Sequence, residues 1–421
     1  MASKPKLYLI TKEFPYGHGE DSFVKPEYPY LRDKFDVTVI AAELSDHLGS
    51  SKTSSQIKAG KVSVQQNMGN KFLSFVHFLM RRECYIEIFH IVKAKKKIIQ
   101  RIYRMLMFGT AAETFYRRLR VETKLCKDTN AIFYFYWFDY KCFSLTMHKK
   151  RYPHIRVIAR THGYDLYDDR ELYGKQFFKE QMDAKLDKLI FAAQYAKDYY
   201  LQRYHKADCG KYLLARLGVS DKGISVETRK RNHKGKEGFL LLSCSHAVDI
   251  KRVNCIIDGL SCIDDKEIQW VHIGGGDRLD ALKEQAKRQL GNKHNIQFCF
   301  MGNMVNDDVI KFYQDNYVSC FITTTETEGG APVSVQEALS FGVPVIVSAA
   351  GELSYMVRLN GYLLPVDLQA GDVGNAIEKM AELYGTNEYF DMCRDSLSIY
   401  REMFDEKVNY PKVAKEIENI C

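Results

Sequence analysis

Residues 323–348 read Thr-Thr-Thr-Glu-Thr-Glu-Gly-Gly-Ala-Pro-Val-Ser-Val-Gln-Glu-Ala-Leu-Ser-Phe-Gly-Val-Pro-Val-Ile-Val-Ser. The pattern predicts a buried parallel strand ending at Thr323, a polar glycine loop, a helix and a second buried strand over 343–347. Pro332 suits the first helical position, because its missing N–H would have no partner there. Gly342 can end the helix in the left-handed conformation. The stretch therefore predicts an α/β protein.

The junction of loop and helix in this stretch suits a phosphate group. A helix N-terminus offers unpaired N–H groups and partial positive charge, and preceding glycines let a phosphate approach the backbone. Glu328 lies before the glycines and Glu337 within the helix. Each carboxylate could accept hydrogen bonds from the hydroxyls of a sugar or a ribose. An ordinary strand–loop–helix unit with solvated acids is the alternative, and the pattern alone favours neither.

Composition predicts a reduced, cytosolic protein of two domains. The 421 residues are enough for two separate cores. No apolar run has the length of a membrane-spanning helix, the N-terminus lacks a signal-peptide pattern, and the eleven cysteines show no metal-binding spacing. The net charge of +8 fits an anionic ligand or an anionic membrane surface, and no nucleic-acid motif accompanies it.

The first half alternates predicted strands with helices. The strands cover 6–10, 35–41, 131–136, 156–160 and 188–192. Gly17, His18 and Gly19 follow the first strand, and His162 follows the fourth, at the sheet edge where open α/β proteins bind ligands. A plain turn is the alternative for the glycine loop, and a structural histidine is the alternative for His162.

Residues 71–120 are helical, basic and rich in aromatic side chains. A basic amphipathic helix can lie on an anionic bilayer surface. A packed helix with a solvated lysine face is the alternative.

The second half begins after a charged segment, 221–238, whose composition predicts a linker. Further strands are predicted at 239–243, 268–273, 297–301, 320–323, 343–347 and 360–365. Gly274, Gly275 and Gly302 follow two of these strands and permit close approach of a nucleotide, although a glycine run alone is a weak signal.

Three motifs carry a family resemblance. The opening stretch resembles the signature of retaining glycosyltransferases of family four (glycosyl transferases group 1), which pairs Glu-Gly-x-Pro or Glu-Gly-x-Gly with a second Glu and Ala-(Leu/Met)-x-x-Gly-x-Pro-Val. Eight residues separate Glu328 from Glu337 where the family usually has seven, and the surplus residue precedes Pro332. Lys251 matches the family's diphosphate-binding Lys, whereas His246 stands where its Arg is expected.

The third motif is Arg-Thr-His-Gly-Tyr-Asp over residues 160–165, which matches the family's Arg-x-His-Gly-x-Asp. The resemblance implies the GT-B fold, with two doubly wound Rossmann-like domains facing one another across a cleft. It implies an N-terminal acceptor-binding domain, a linker, a nucleotide-sugar-binding domain and a C-terminal helix that crosses back to the first domain. The predicted limits are 1–222, 223–237, 238–398 and 399–421.

The implied function is transfer of a hexose from a nucleotide-diphospho-sugar, such as a UDP-sugar, to a hydroxyl of a saccharide with retention of configuration. The acceptor is expected to be lipid-linked, in surface polysaccharide synthesis at the inner face of the cytoplasmic membrane. His162, Glu328 and Lys251 are the predicted catalytic residues, and His18 and Asp165 are predicted to bind the acceptor. The predicted donor-binding residues are Gly17, Gly19, His246, Arg252, Gly274, Gly275, Gly302, Gly329, Gly330, Ala331, Pro332, Val333 and Glu337.

No Asp-x-Asp pair accompanies these motifs, so neither a metal ion nor a cofactor besides the sugar nucleotide is expected. Two other functions stay open. A nucleotide-sugar epimerase of the same fold would need catalytic acids in the first domain, which the sequence does not reveal. A catalytically silent partner of another transferase would explain the longer loop and His246.

Overall fold

The fold is that of a computed structural model, which shows two compact α/β units. The structure describes residues 4–17, 19–43, 57–61, 68–125, 130–234 and 238–420. The first unit comprises 1–215 with 410–421, and the second comprises 216–409. Each is built around one parallel sheet with helices on both faces, which confirms the predicted fold class of two doubly wound domains.

The first unit has a seven-stranded sheet in the order β3-β2-β1-β4-β5-β6-β7. Its strands are β1 (Lys6–Thr11), β2 (Asp36–Ala41), β3 (Ala59–Lys61), β4 (Ala131–Phe135), β5 (Arg156–Thr161), β6 (Lys188–Phe191) and β7 (Tyr212–Leu214). Its helices are α1 (Val24–Lys34), α2 (Met68–Leu79), α3 (Arg82–Lys93), α4 (Ile98–Glu122), α5 (Tyr140–Thr146), α6 (Lys179–Asp183) and α7 (Gln194–Arg203).

Strand β1 shows why both faces of this sheet are covered. Alternate residues point to opposite faces of a strand. Tyr8 and Ile10 are buried in the core on one face, and Leu7 and Leu9 are buried in the core on the other. The second of these cores also holds side chains of α1 and the C-terminal residues Val413, Ala414 and Ile417.

The second unit has a six-stranded sheet in the order β10-β9-β8-β11-β12-β13. Its strands are β8 (Phe239–Cys244), β9 (Ile268–Ile273), β10 (Ile296–Gly302), β11 (Cys320–Thr323), β12 (Val345–Ser348) and β13 (Gly361–Leu364). Its helices are α8 (Val226–His233), α9 (Val253–Ser261), α10 (Leu279–Leu290), α11 (Asn306–Asp315), α12 (Val333–Ser340), α13 (Ala370–Leu383) and α14 (Asn387–Met403), and α15 (Glu406–Glu418) begins here and continues into the first unit.

The strand order of each sheet reverses once. In the first unit the chain runs outward from β1 through β2 to β3 and then returns to the other side of β1 with β4. In the second it runs from β8 through β9 to β10 and returns beside β8 with β11. The loops at the carboxyl ends of such neighbouring strands part from one another, which leaves a crevice where ligands bind. We call these places the first and second switch points.

Two local predictions differ from the structure and two agree with it. The predicted linker contains α8, whose Arg229 is buried and donates to the carbonyl of Val318 and the hydroxyl of Tyr389. The helical segment predicted over 71–120 consists of α2, α3 and α4. Pro332 precedes α12 with φ −65° and ψ 130° instead of occupying its first turn. Gly342 does end α12 with φ 66°, as predicted.

None of the helices in the described ranges combines the length and the apolar character needed to cross a membrane.

Candidate functional site

Two loops meet at the second switch point and fix one another. The amide of Glu326 donates to the carbonyl of Ile250 at 2.8 Å. The hydroxyl of Thr325 donates to the same carbonyl at 3.1 Å, and the hydroxyl of Thr324 donates to the carbonyl of Arg252 at 2.8 Å. The loop after β8 and the loop after β11 are therefore held together by the threonines that precede the glycine pair.

These hydrogen bonds between the two loops bring two predicted catalytic residues into contact. The ammonium of Lys251 donates to Oε2 of Glu328 at 2.5 Å. The side chains are only 23% and 16% exposed, so the bond is partly shielded from water. Charge-assisted hydrogen bonds of this kind are about twice as strong as neutral ones. The sequence predicted both residues, and the structure places them together.

Arg252, the next residue, binds the surrounding loops. Its guanidinium donates to the carbonyls of Thr324, Thr325 and Val366 at 2.7–3.1 Å. These three hydrogen bonds leave other N–H groups of the guanidinium available, so the donor-binding role of Arg252 stays a prediction. His246 itself is exposed on the loop after β8.

The glycine loop leads directly into α12. A Cβ added at Gly330 would meet nothing within 4 Å, so space lies beside its backbone. Ala331 is buried, and its carbonyl accepts a hydrogen bond from the side chain of Gln336 at 2.8 Å. Val333 begins the helix, and its amide belongs to the first turn, whose N–H groups have no acceptor within the helix. With Gly329, these residues form a surface of backbone donors suited to an anion.

Glu337 lies one turn further along α12 in a buried position. Burial raises the pKa of Glu337 to about 7, while a hydrogen bond from Asn306 and the charge of Lys222 act in the opposite direction. The amide of Asn306 donates to Oε1 of Glu337 at 2.6 Å. Neither Asn306 nor Lys222 was predicted, since nothing in a single sequence connects the start of α11 or residue 222 with Glu337.

The predicted nucleotide-binding glycines mainly allow the chain to approach itself. A Cβ at Gly274 would lie 1.9 Å from the carbonyl oxygen of Ser245, and the φ of Gly274 is +141°. The amide of Gly275 donates to the side chain of Asn303 at 2.7 Å. Gly302 differs, because a Cβ there would meet nothing within 4 Å. Gly302 therefore still offers room for a ligand, whereas Gly274 and Gly275 are explained by packing.

At the first switch point a buried carboxylate organises the loop after β1. Glu20 is 2% exposed and accepts hydrogen bonds from the amides of Lys12, Glu13 and Phe14 at 2.9–3.1 Å. It also accepts from the indole N–H of Trp137 at 2.6 Å. Glu20 was not predicted, because a carboxylate bonded to backbone amides leaves no sequence signal. His18, predicted to bind the acceptor, lies outside the described residues.

Gly17 and Gly19 lie around the side chain of Glu13. The amide of Gly19 donates to Oε1 of Glu13 at 2.6 Å. A Cβ at Gly17 would lie 2.5 Å from the carboxyl carbon of Glu13, and one at Gly19 would lie 2.3 Å from its Oε1. A side chain at either position would displace only the flexible carboxyl end of Glu13, so the packing of this loop does not by itself require glycine.

His162 and Asp165 belong to the loop after β5. The carboxylate of Asp165 is buried and accepts from the amides of His162 and Phe138, each at 2.6 Å. Burial raises the pKa of Asp165 to about 7, against the opposing effects of Lys179 and the two amides. Asp165 thus holds two loops together, which is one of the two roles that the resemblance implies, and its binding of the acceptor stays a prediction.

The imidazole of His162 packs between aromatic rings, with its ring centre 4.2 Å from that of Trp137 and 5.5 Å from that of Tyr136. Burial, followed by the charges of Arg160 and Lys12, lowers the pKa of His162 well below its usual value. The lowered pKa favours the neutral imidazole, and none of the described residues bonds to either ring nitrogen.

Comparison with known proteins agrees with this geometry. Residues 225–392 match the family model of glycosyl transferases group 1. A search of curated protein sequences gives no match. Among solved structures, the lipopolysaccharide outer core galactosyltransferase WaaB is 16% identical, with a TM-score of 0.66 over 99% of this chain and 100% of that one.

Two further structures are similar over their full lengths. HepE from Anabaena, in complex with UDP, is 14% identical with a TM-score of 0.65 over 99% of this chain and 100% of that one. Sucrose-phosphate synthase from Thermosynechococcus elongatus is 14% identical with a TM-score of 0.71 over 99% of each chain. The chain has the GT-B fold of these glycosyltransferases. The segment that matches the glycosyl transferases group 1 model, residues 225–392, contains the sheet of the second unit.

Proposed function

We propose that the chain is a retaining glycosyltransferase that moves a hexose from a nucleotide-diphospho-sugar to a hydroxyl of a saccharide acceptor. The observation that carries the proposal is the contact of Lys251 with Glu328 beside the glycine loop and the first turn of α12. A cation, the first-turn backbone amides of α12 and a carboxylate at one switch point match a diphosphate that carries a hydroxylated sugar.

Each group has a role in the proposed reaction. The diphosphate replaces Glu328 as the partner of Lys251, and the amides around Gly329 to Val333 take up the charge that develops as it departs. Glu328 is then free to accept hydrogen bonds from the sugar hydroxyls. Glu337 accepts hydrogen bonds from the ribose. The acceptor attacks from the face that the diphosphate leaves, so Glu328 positions the sugar and forms no covalent bond with it.

His162 keeps its proposed role as a contact of the transferred sugar. Its neutral imidazole can donate one hydrogen bond and accept another, which suits a sugar hydroxyl. The lowered pKa of His162 supports this role, because the uncharged form then persists at neutral pH.

The reaction is tested by measuring nucleoside diphosphate release from a panel of nucleotide sugars, with and without oligosaccharide and lipid-linked acceptors. UDP-glucose is the first donor to test, because HepE was solved with UDP-glucose. Release that depends on an acceptor, with the product's anomeric configuration unchanged by NMR, supports the proposal. Conversion of the nucleotide sugar without any acceptor indicates an epimerase. Binding of a second transferase without turnover indicates a silent partner.

We further propose that transfer needs no divalent metal or cofactor. In the parts of the chain that the structure describes, no three His, Cys, Asp or Glu side chains are grouped to hold a metal ion. Lys251 and the helix N-terminus can supply the positive charge that a metal ion would otherwise provide. Turnover in excess EDTA should equal turnover with Mg²⁺, and a loss of more than about tenfold that Mg²⁺ restores would contradict this.

Contact with an anionic membrane from the cytoplasmic side, and with it a lipid-linked acceptor, is supported by one surface of the first unit. Half of the exposed large apolar side chains of the described residues lie between residues 72 and 121. On α3 and α4 they recur at helical spacing and include Phe89 (64% exposed), Ile99 (82%) and Tyr103 (63%). Exposed lysines stand at the end of α3 and in the connection to α4: Lys93, Lys95, Lys96 and Lys97. We call these seven residues the α3–α4 face.

A residue distant in sequence extends this face. Leu172 is 68% exposed, and its neighbours are bound to α4. Arg104 makes an ion pair with Glu171 at 2.9 Å, and Arg101 donates to the carbonyl of Tyr173. Apolar side chains beside lysines suit the boundary of an anionic bilayer, where each lysine near the surface contributes about 1 kcal/mol.

Sedimentation with lipid vesicles tests the membrane proposal. The protein should bind vesicles that contain phosphatidylglycerol and should not bind pure phosphatidylcholine. Ile99→Glu combined with Tyr103→Glu should abolish binding and leave turnover of a soluble acceptor unchanged. Leu359→Glu, at a 79% exposed position in the second unit, is the matched control. Equal binding of both vesicle types, or an unaffected double variant, would refute the proposal.

A further inference from the structure

Lys12 is a cation at the first switch point that has no acidic partner. It directly follows β1, and its ammonium lies 5.2 Å from the ring centre of Trp137 and 4.6 Å from that of Tyr164. None of the carboxylates that the structure describes makes an ion pair with it. Aromatic rings attract a cation without neutralising it, so the full charge of Lys12 is available to a ligand.

The acids around Lys12 already have other partners. The carboxylate of Glu20 accepts three backbone amides and the indole of Trp137. Glu13 accepts the amide of Gly19. Asp139 makes an ion pair with Lys141 at 2.6 Å and accepts the hydroxyl of Tyr164 at 2.8 Å. Neutralising Lys12 with one of these carboxylates would therefore break existing hydrogen bonds.

Two further features beside Lys12 fit a saccharide. Tyr164 is 40% exposed and its ring lies against that of Trp137, with 5.0 Å between ring centres. An aromatic surface of this kind can contact the apolar face of a sugar ring. The charge of Lys12 also helps to lower the pKa of His162, so the two side chains lie close enough to interact. The two ring nitrogens of His162 have no partner among the described residues. A cation, an aromatic ring and an unused polar group thus lie together at a ligand-binding edge.

We infer that Lys12, with Trp137 and Tyr164, forms a subsite for an anionic group on the acceptor saccharide. The carboxylate of a uronic acid and the phosphate of a sugar phosphate share the required chemistry. As an acceptor subsite, this inference rests on the proposed function. It specifies the acceptor further, because a transferase with such a subsite prefers an acidic sugar to its neutral counterpart.

Binding of three sugars in the presence of saturating UDP tests the inference. Glucuronate carries a carboxylate, glucose 6-phosphate carries a phosphate, and glucose is the neutral counterpart. UDP keeps these sugars out of the diphosphate site. Fluorescence of Trp137 reports binding, because the chain's other tryptophan, Trp270, is fully buried in the second unit and gives a constant background. At least one acidic sugar should bind at least tenfold more tightly than glucose, and the stronger of the two identifies the anion.

Variants of Lys12 complete the test. Lys12→Gln should remove the preference for the acidic sugar, Lys12→Arg should retain it, and Lys283→Gln, at an exposed lysine of the second unit, should have no effect. Circular dichroism verifies that each variant is folded. If Lys12→Gln does not fold, Lys12→Arg together with the wild-type preference decides the matter.

Equal affinity of the wild type for all three sugars would overturn the inference. Weaker UDP binding in Lys12→Gln with unchanged sugar affinities would also overturn it, because Lys12 would then serve the donor. Failure of the proposed function has a different signature. In that case no nucleotide sugar is turned over with any acceptor, whether or not the acidic sugars bind.

Discussion

Each switch point holds a lysine in the loop that follows the first strand of its sheet, and the two lysines have opposite surroundings. In the second unit Lys251 is bonded to Glu328 at 2.5 Å, whereas in the first unit Lys12 lies over the rings of Trp137 and Tyr164 and makes no ion pair with a described carboxylate. An anion that binds Lys251 must displace a carboxylate, whereas one that binds Lys12 breaks no ion pair among the described residues. The neighbours of each lysine therefore determine how readily an anion can bind it.

The strongest test of this contrast is removal of the paired lysine. Lys251→Ala should lower kcat/KM for the nucleotide sugar by about 100-fold, because it removes a preorganised cation and leaves Glu328 facing the diphosphate. Glu328→Gln should lower kcat/KM at least about tenfold, and the double variant should lose less than the product of the two. Lys283→Ala is the control. Wild-type rates in Lys251→Ala would remove Lys251 from the site.

The second test concerns the carboxylate that holds the loop of Lys12. Glu20→Gln should destabilise the protein by about 2 kcal/mol, because the amide can accept fewer of the four hydrogen bonds and places N–H groups against donors. Denaturant unfolding measures the change. Glu13→Gln should cost less, since Glu13 is partly exposed and accepts one amide. Equal stability of the two variants would show that Glu20 does not organise the first switch point.

Much of the fold was predictable, because buried parallel strands leave continuous apolar runs in the sequence. Strands β9 and β11 were predicted with the bounds that they have in the structure. The short strands β3 and β7 were missed, since three residues carry too little pattern. The segment of α8 was mistaken for a linker, because only Val226 and Arg229 of this helix are buried and composition counts an arginine as a surface residue.

The site was predictable only where residues adjacent in sequence form it. Glu328 and Lys251 were found because each lies in a recognisable motif. The partners that tune the site come from other strands and helices: Asn306 contacts Glu337 across 31 positions of sequence, and Trp137 contacts Glu20 across 117. Arg252 was predicted from its place beside a phosphate motif, and its hydrogen bonds to backbone carbonyls left no signal in the sequence.

A third test uses the pH dependence of donor binding at the second switch point. Because the pKa of Glu337 is about 7 and the ionised form accepts the ribose hydroxyls better, the Kd of UDP-glucose should rise as the pH falls. Between pH 8 and pH 6 the increase should be up to about tenfold. The phosphates of UDP-glucose do not titrate in this range. Asn306→Ala removes a hydrogen bond that lowers the pKa, so its transition should move to higher pH.

The effect of Glu337 on folding stability depends on pH in the opposite direction to its effect on donor binding. In the unliganded protein folding raises the pKa of Glu337 from its ordinary 4.5, so its contribution to stability is complete below 4.5 and is lost as the pH rises through 7. Glu337→Gln should remove this contribution to the pH dependence of both the Kd of UDP-glucose and the free energy of unfolding. A pH-independent Kd in the wild type would show that Glu337 does not contact the ribose.

The smallest effect is expected at Arg278, the basic residue beside the loop of Lys251 that could replace the arginine absent at His246. Its guanidinium makes two hydrogen bonds to Asp249, at 2.5 and 3.0 Å, on a largely exposed surface. Surface pairs contribute little, and this one engages the guanidinium of Arg278 with a carboxylate that is not part of the glycine loop. Arg278→Ala should therefore change kcat/KM by no more than about twofold, and Asp249→Asn should behave alike. A loss of more than tenfold in Arg278→Ala alone would identify Arg278 as a second cation that binds the diphosphate. The second switch point would then hold Lys251, which is paired with Glu328, and Arg278, which would leave Asp249 to bind the diphosphate.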